Sequence, residues 1–263
     1  MKTLLLTASA ALLLSCNFKN EPPITINLNS KLSNKPVRTQ QHQMEFDEIK
    51  VSESINAQIV KSDTEKVVIT APADILDDVV VENKGGELHI HFKPGLNLST
   101  RNVAAKIFAR DFSKVEATSS ARITIKDKFT QDRTKVEVSS SAEISGDLEA
   151  NDLSIDASSS GSFSGKVWAV NLEADADSSG TIDISGKTKT ADFSASSSGR
   201  LAAGKLIAEI AEIEVSSGGM VNVGVSDILK ADASSGGNIE VSKKGNLQIT
   251  RQNESSGGGI SIR

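Results

Sequence analysis

The chain has 263 residues, of which 38% are apolar, 24% charged and only 3% aromatic, with eight Phe, one Trp and no Tyr. That is enough sequence for one large domain with a full core, but too few rings for a core of big interlocking aromatics. A formal charge of −5 disfavours nucleic acid as a partner, and a single cysteine excludes an internal disulfide.

Lys2 precedes an apolar run from Leu4 to Leu14 that ends at Ser15-Cys16. A basic start followed by a short apolar stretch reads as a secretory signal over residues 1–15, too short to span a bilayer. Leu13-Leu14-Ser15-Cys16 has the form of a bacterial lipobox. Cleavage after Ser15 and acylation of Cys16 are therefore expected. Acyl chains of the palmitate class, each buried CH₂ contributing about 0.8 kcal/mol, would hold the protein to the cell envelope, at the outer membrane. Residues 16–43 are polar and interrupted by Pro22, Pro23 and Pro36, the composition of a flexible tether.

Residues 44–112 read as β. Ile55-Asn56-Ala57-Gln58-Ile59 alternates, Lys66-Val67-Val68-Ile69-Thr70 is strand-like, and Gly85-Gly86 between Val79-Val80-Val81 and Leu88-His89-Ile90-His91-Phe92 predicts a hairpin. This portion is expected to be the more irregular one, capping one end of the segment that begins at residue 113.

From residue 113 onward a phrase recurs. Thr-Ser-Ser-Ala begins at 118, Ser-Ser-Ser-Ala at 139, Ser-Ser-Ser-Gly at 158, Asp-Ser-Ser-Gly at 177 and Ser-Ser-Ser-Gly at 196; Ser-Ser-Gly-Gly begins at 216, 234 and 255. Its fourth residues are Ala121, Ala142, Gly161, Gly180, Gly199, Gly219, Gly237 and Gly258, at steps of 18 to 21 residues. Two residues past these stand Ile123, Ile144, Phe163, Ile182, Leu201, Val221, Ile239 and Ile260. Apolar residues also recur four and six positions before, except at Glu254 and Gln252, with polar residues between them. Period-two alternation marks strands with one buried face. Each unit is too long for one straight strand, so the chain is expected to bend at the Ser-Gly phrase. A unit with one oily face cannot fold alone, but like units stacked at about 4.8 Å cover one another. The fold predicted is all-β: a right-handed single-stranded β-helix, or β-solenoid, of about eight short rungs with a more irregular β N-terminal portion. The alternative is an antiparallel sandwich or barrel with Ser-rich hairpins.

These phrases, such as Asp156-Ala157-Ser158-Ser159-Ser160-Gly161-Ser162-Phe163 and Asp232-Ala233-Ser234-Ser235-Gly236-Gly237-Asn238-Ile239, together with Glu45-Phe46-Asp47-Glu48-Ile49 and Glu87-Leu88-His89-Ile90, resemble those of the auto-transporter adhesin head GIN domain family of bacterial envelope lipoproteins. The resemblance covers residues 45–263 and implies an exported all-β solenoid, with adhesion as the proposed role and no established catalytic residues. Many relatives carry Gly-Ser-Gly where this chain has Ser-Ser-Gly or Ser-Ser-Ser-Gly.

Little in the sequence points to chemistry. His42 falls in the tether. His89 and His91 share one strand face, correct for two metal ligands, but no third His or Cys stands nearby in sequence, so a solvated face is the reading. Asn97-Leu98-Ser99 is a bare glycosylation sequon. No metalloprotease helix motif or phosphate-binding glycine loop is present. One outward pair of columns turns acidic in mid-chain, at Glu173, Asp175, Asp192, Glu212 and Glu214, and with Asp177 of the neighbouring phrase this makes six carboxylates on adjacent rungs with no nearby lysine in either column. Stacked carboxylates repel, which makes a Ca²⁺ or other hard-cation site a hypothesis there; a solvated negative face is the plainer reading, and no cofactor is otherwise expected. The function expected is a non-enzymatic envelope adhesin or scaffold for a polysaccharide or protein, attached to the membrane through Cys16. The alternatives are a carbohydrate-active β-helix enzyme, or a periplasmic sensor or assembly factor.

Overall fold

A computed structural model describes residues 35–95 and 102–263. The signal segment, Cys16, the tether up to residue 34 and the Asn97 sequon lie outside the described residues.

Among the described residues the regular structure is β apart from one 3-10 turn at Leu76–Asp78. Its first part contains β1 (Val37–Gln43), β2 (Glu48–Val51), β3 (Asn56–Lys61), β4 (Lys66–Pro72), β5 (Val79–Lys84), β6 (Glu87–Phe92) and β7 (Ala104–Ala109). The repeats supply β8 (Lys114–Ala117), β9 (Arg122–Ile125), β10 (Phe129–Val138), β11 (Glu143–Ser145), β12 (Leu148–Ala157) and β13 (Ser162–Ala176). They continue with β14 (Thr181–Ala195), β15 (Arg200–Val215), β16 (Met220–Ala233), β17 (Asn238–Lys243), β18 (Gln248–Glu254) and β19 (Gly259–Ile262).

The repeats coil as a β-solenoid. Each turn pairs in parallel with the next, like residue on like residue: Val115, Val136, Ile155, Ala174, Phe193, Ile213 and Ala231 form one ladder. Ile123, Ile144, Phe163, Ile182, Leu201, Val221, Ile239 and Ile260 form another. The first seven residues of each ladder are fully buried, because every turn covers the apolar edge of its neighbour. A third face, Phe129, Leu148, Val167 and Gly186, closes the turn. The antiparallel alternative is therefore excluded for the repeats.

The bend expected at the Ser-Gly phrase is a corner of two successive left-handed residues, for example Ser159 (φ 48°) and Ser160 (φ 63°). Hydrogen bonding between turns continues through it, so the corner is part of the sheet and not a break in it.

Two features depart from the sequence reading. The first is β1, which lies inside the region read as tether. It pairs antiparallel with β4 from Val37↔Pro72 to Gln43↔Lys66. Its residues are almost all exposed, so backbone pairing alone makes it a strand and no apolar alternation announces it. The second is that the N-terminal part also builds two turns. The β2–β3 turn lies between the β6–β7 turn and the β8–β9 turn, so spatial order differs from chain order. Its corner, Glu53 (φ 61°) and Ser54 (φ 62°), shows Ser52-Glu53-Ser54-Ile55 to be a degenerate copy of the repeat phrase. The cap itself consists of β5 antiparallel to β6 and β4 antiparallel to β7. Antiparallel partners there end the parallel stacking. The predicted hairpin is present: Lys84 pairs with Glu87 around Gly85 and Gly86, both with positive φ, the backbone a tight primed turn needs.

Candidate functional site

The outward columns run the length of the solenoid. His89, Lys50, Glu116, Glu137, Asp156, Asp175, Ser194, Glu214, Asp232 and Asn253 form one. In its first half the charges alternate with those of the adjacent column: Lys50 meets Glu116 at 2.7 Å, Lys114 meets Glu137 at 2.6 Å and Glu116 at 3.1 Å, and Lys135 meets Glu137 at 2.7 Å and Asp156 at 3.2 Å.

The six mid-chain carboxylates do point outward on adjacent turns, as the columns require, with Glu173, Asp192 and Glu212 in one register. They are less isolated than the sequence suggests. Glu212 pairs with Lys230 of the next turn at 3.2 Å and with Arg251 at 2.8 Å; Arg251 also reaches Glu214 at 3.8 Å. Asp175 accepts from the Ser194 hydroxyl. Asp177 accepts from Ser196 at 2.7 Å and Ser178 at 2.9 Å, bonds that lower its pKa. Asp192 is the strained member: burial, then Glu212 and Asp175, raise its pKa. These six do not bring three ligand atoms within 4.8 Å of one another; among the described residues, Glu82, His89 and His91 alone do so.

Glu82 is the residue the sequence reading missed. It lies in β5 directly opposite His89 across the Gly85-Gly86 turn. The hairpin signal was visible, and counting back across it from His89 identifies Glu82 as its cross-strand partner. Oε1 of Glu82 lies 3.3 Å from His91 Nε2 and 3.8 Å from His89 Nδ1. The two imidazoles stack at 4.2 Å. Burial, then His91 and Lys50, lower the pKa of His89. Ser52 Oγ is 3.0 Å from His89 Nε2. Ser52, His89 and Glu82 thus follow the order of a hydrolytic triad in outline, but Ser52 is 6% exposed and 3.8 Å is too long for the orienting hydrogen bond. The serine is a structural partner of the histidine, not a presented nucleophile.

On the opposite side of the coil, the corner between the second and third ladders opens into a groove of about 850 Å³. Lys126, Lys128, Asp147, Glu149, Lys166, Trp168 and Lys187 reach it from four successive turns. Phe129, Phe163 and Phe193 are all buried, whereas Trp168 is 50% exposed on the outer face of β13. Its column neighbours are Glu149 and Lys187, and Glu149 is held by Lys128. A second groove of about 670 Å³ contains Glu173, Asp192 and Glu212. Beside it, an amide ladder links turns, Asn171 donating to Asp152 at 2.7 Å and Thr190 to Asn171 at 2.7 Å.

This architecture has solved counterparts. A "putative adhesin" from Parabacteroides merdae superposes with a TM-score of 0.76 at 20% identity, over 88% of this chain and 97% of its own. A "putative adhesin" from Parabacteroides distasonis gives 0.79 at 23% identity, over 88% and 98%. A "putative lipid binding protein" from the same organism gives 0.75 at 24% identity, over 88% and 98%. At these identities the likeness is one of fold. No curated protein matches the sequence. The family model described as "Putative auto-transporter adhesin, head GIN domain" matches residues 45–167 and 153–245. Those two matches together span most of the chain and end within the repeats that build the coil, and on that ground the protein belongs to the head GIN domain adhesin family.

Proposed function

We propose that this protein is a lipid-anchored envelope adhesin of the outer membrane, non-enzymatic, whose solenoid binds an extended glycan along the groove beside Trp168. The observation that carries the reading is the exposure of Trp168. A large ring left half in water costs burial that a sequence otherwise strict about hiding its apolar residues avoids almost everywhere else in the repeats. An indole face offers apolar area to the C–H side of a sugar ring, and its edge N–H remains free to bond. Lys126, Lys166 and Lys187, all exposed around it, suit acidic sugars. An open groove crossing four turns fits a chain and not a small enclosed substrate. The lipobox at Cys16 and the signal over residues 1–15 provide the address, and the tether holds the coil away from the bilayer.

The test is binding of the whole protein to a panel of neutral and uronic-acid-containing polysaccharides, with Trp168→Ala beside the parent. Binding that falls at least tenfold in the variant supports the reading; parent-like binding in Trp168→Ala removes the groove as the site. Product analysis after the same incubations reads for cleavage, which the non-enzymatic assignment excludes. Protease treatment of intact cells decides which side of the membrane the coil faces, and Cys16→Ala is expected to release the protein from the membrane fraction.

A further inference from the structure

We propose that Glu82, His89 and His91 form a site for a first-row divalent cation such as Zn²⁺, on the outer face of the N-terminal cap. The three donor atoms lie within 4.8 Å of one another. Ligands about 2.0–2.1 Å from a tetrahedral zinc lie about 3.3–3.5 Å apart. Glu82 Oε1 and His91 Nε2 already meet that spacing at 3.3 Å, and His89 Nδ1, 3.8 Å from Glu82 Oε1, reaches it by closing a few tenths of an ångström.

The ring nitrogens turned away from the cluster are already occupied. His91 Nδ1 donates to the Phe92 carbonyl at 2.7 Å, and His89 Nε2 lies 3.0 Å from Ser52 Oγ. The carbonyl fixes both the tautomer and the orientation of His91, and the serine holds the ring of His89 in place, as partners of ligating histidines do. They leave His91 with a lone pair on Nε2 facing a carboxylate oxygen. Two acceptors at that distance attract only when a cation, a proton or a metal ion, stands between them. Glu82 Oε1 already attracts one cation, the Lys84 ammonium at 2.9 Å, whose side chain is 77% exposed and free to swing away. Lys50, the other nearby cation, is held by Glu116 at 2.7 Å.

Rigidity comes from the fold. His89 and His91 are on β6, which is hydrogen-bonded on one side to β5, carrying Glu82, and on the other to β2, the strand that leads into Ser52. Three protein ligands leave a coordination position for water, and the bound ion would cross-link β5 to β6.

Zn²⁺ titration of the metal-stripped whole protein by calorimetry tests this, with Glu82→Gln, His91→Ala and Lys84→Ala in parallel. The expected result is one strong site per chain, weakened at least tenfold in Glu82→Gln and His91→Ala and tightened in Lys84→Ala, where the competing ammonium is gone. Melting temperature serves as a second readout: at equal Zn²⁺ it rises in the parent and rises less in Glu82→Gln. Glu82→Gln is a near-isosteric change on a partly exposed strand, so it decides the matter even where His91→Ala folds poorly. Absence of a site in the parent at millimolar Zn²⁺, or binding that neither ligand substitution weakens, overturns the proposal; in the second case other side chains hold the ion.

Discussion

The backbone N–H of Ser160 donates to the carbonyl of Ser178 at 3.1 Å, joining corner to corner between two turns. The bond requires Ser160 to hold φ at 63°, and Ser179 in the next turn holds 64°. Left-handed backbone costs an L-residue about 1–2 kcal/mol, a penalty glycine escapes. The later turns already have Gly218, Gly236 and Gly257 at this position. Ser160→Gly and Ser179→Gly should each stabilise the coil by up to about 1 kcal/mol, after allowance for the greater freedom of glycine in the unfolded chain. Thermal unfolding of the two variants checks this, and a lower melting temperature in both contradicts it.

The next residue, the last of the phrase, obeys the opposite rule. A Cβ on Gly161 would lie 2.5 Å from the Val138 carbonyl oxygen, and backbone on a hydrogen-bonded turn cannot yield. Ala142, one turn earlier, carries its own Cβ in the same column and is 1% exposed. Gly161→Ala should therefore cost about 1–3 kcal/mol by overpacking, against a smaller loss for Ala142→Gly. Urea denaturation of the pair measures the asymmetry.

Phe193 is fully buried and stacks between Ala174 and Ile213. The small Ala174 makes room for the ring, so Phe193→Ala leaves two adjacent alanines and a void. The expected cost is about 3–5 kcal/mol, read from the denaturation midpoint at unchanged slope.

Acid should loosen the first half of the outward columns. Burial works against ionised Glu116 and Glu137, but hydrogen bonds from Lys50 and Lys114 to the former, and from Lys114 and Lys135 to the latter, outweigh it and hold both below the ordinary 4.5. A depressed carboxyl pKa contributes stability that is present above 4.5 and is lost as pH falls through the lower folded value. Lys114→Met should be less stable than the parent at neutral pH, with the gap narrowing below 4.5; melting curves across that range decide.

Asp192 has the reverse sign. Its raised pKa means that ionisation opposes folding, a penalty present at neutral pH and absent below the ordinary 3.8. Asp192→Asn should melt higher than the parent at about pH 7 and at the same temperature in strong acid.

The repeats were legible because one side-chain period serves both chain and space: a parallel in-register coil places residue i against its counterpart in the next unit, so Ile123 and Ile144 align in sequence for the same reason that they touch. The N-terminal part was harder to read. β1 is polar and depends on pairing with β4, and the Ser52-Glu53-Ser54-Ile55 corner lacks the glycine and serine run that marks the others.

What the amino-acid sequence determined by itself was therefore the periodic part: the coil, its buried ladders, its corners and its outward charges, all consequences of local alternation repeated at a near-constant step. Tertiary structure alone decided which distant residues meet. The hairpin placed Glu82 beside His89 and His91, the coil carried Arg251 two turns back to Glu212, and Trp168 was left in water while the three phenylalanines of the repeats went inside. Those encounters depend on register between strands and on which face each corner turns outward, and neither is written in the spacing of any single segment.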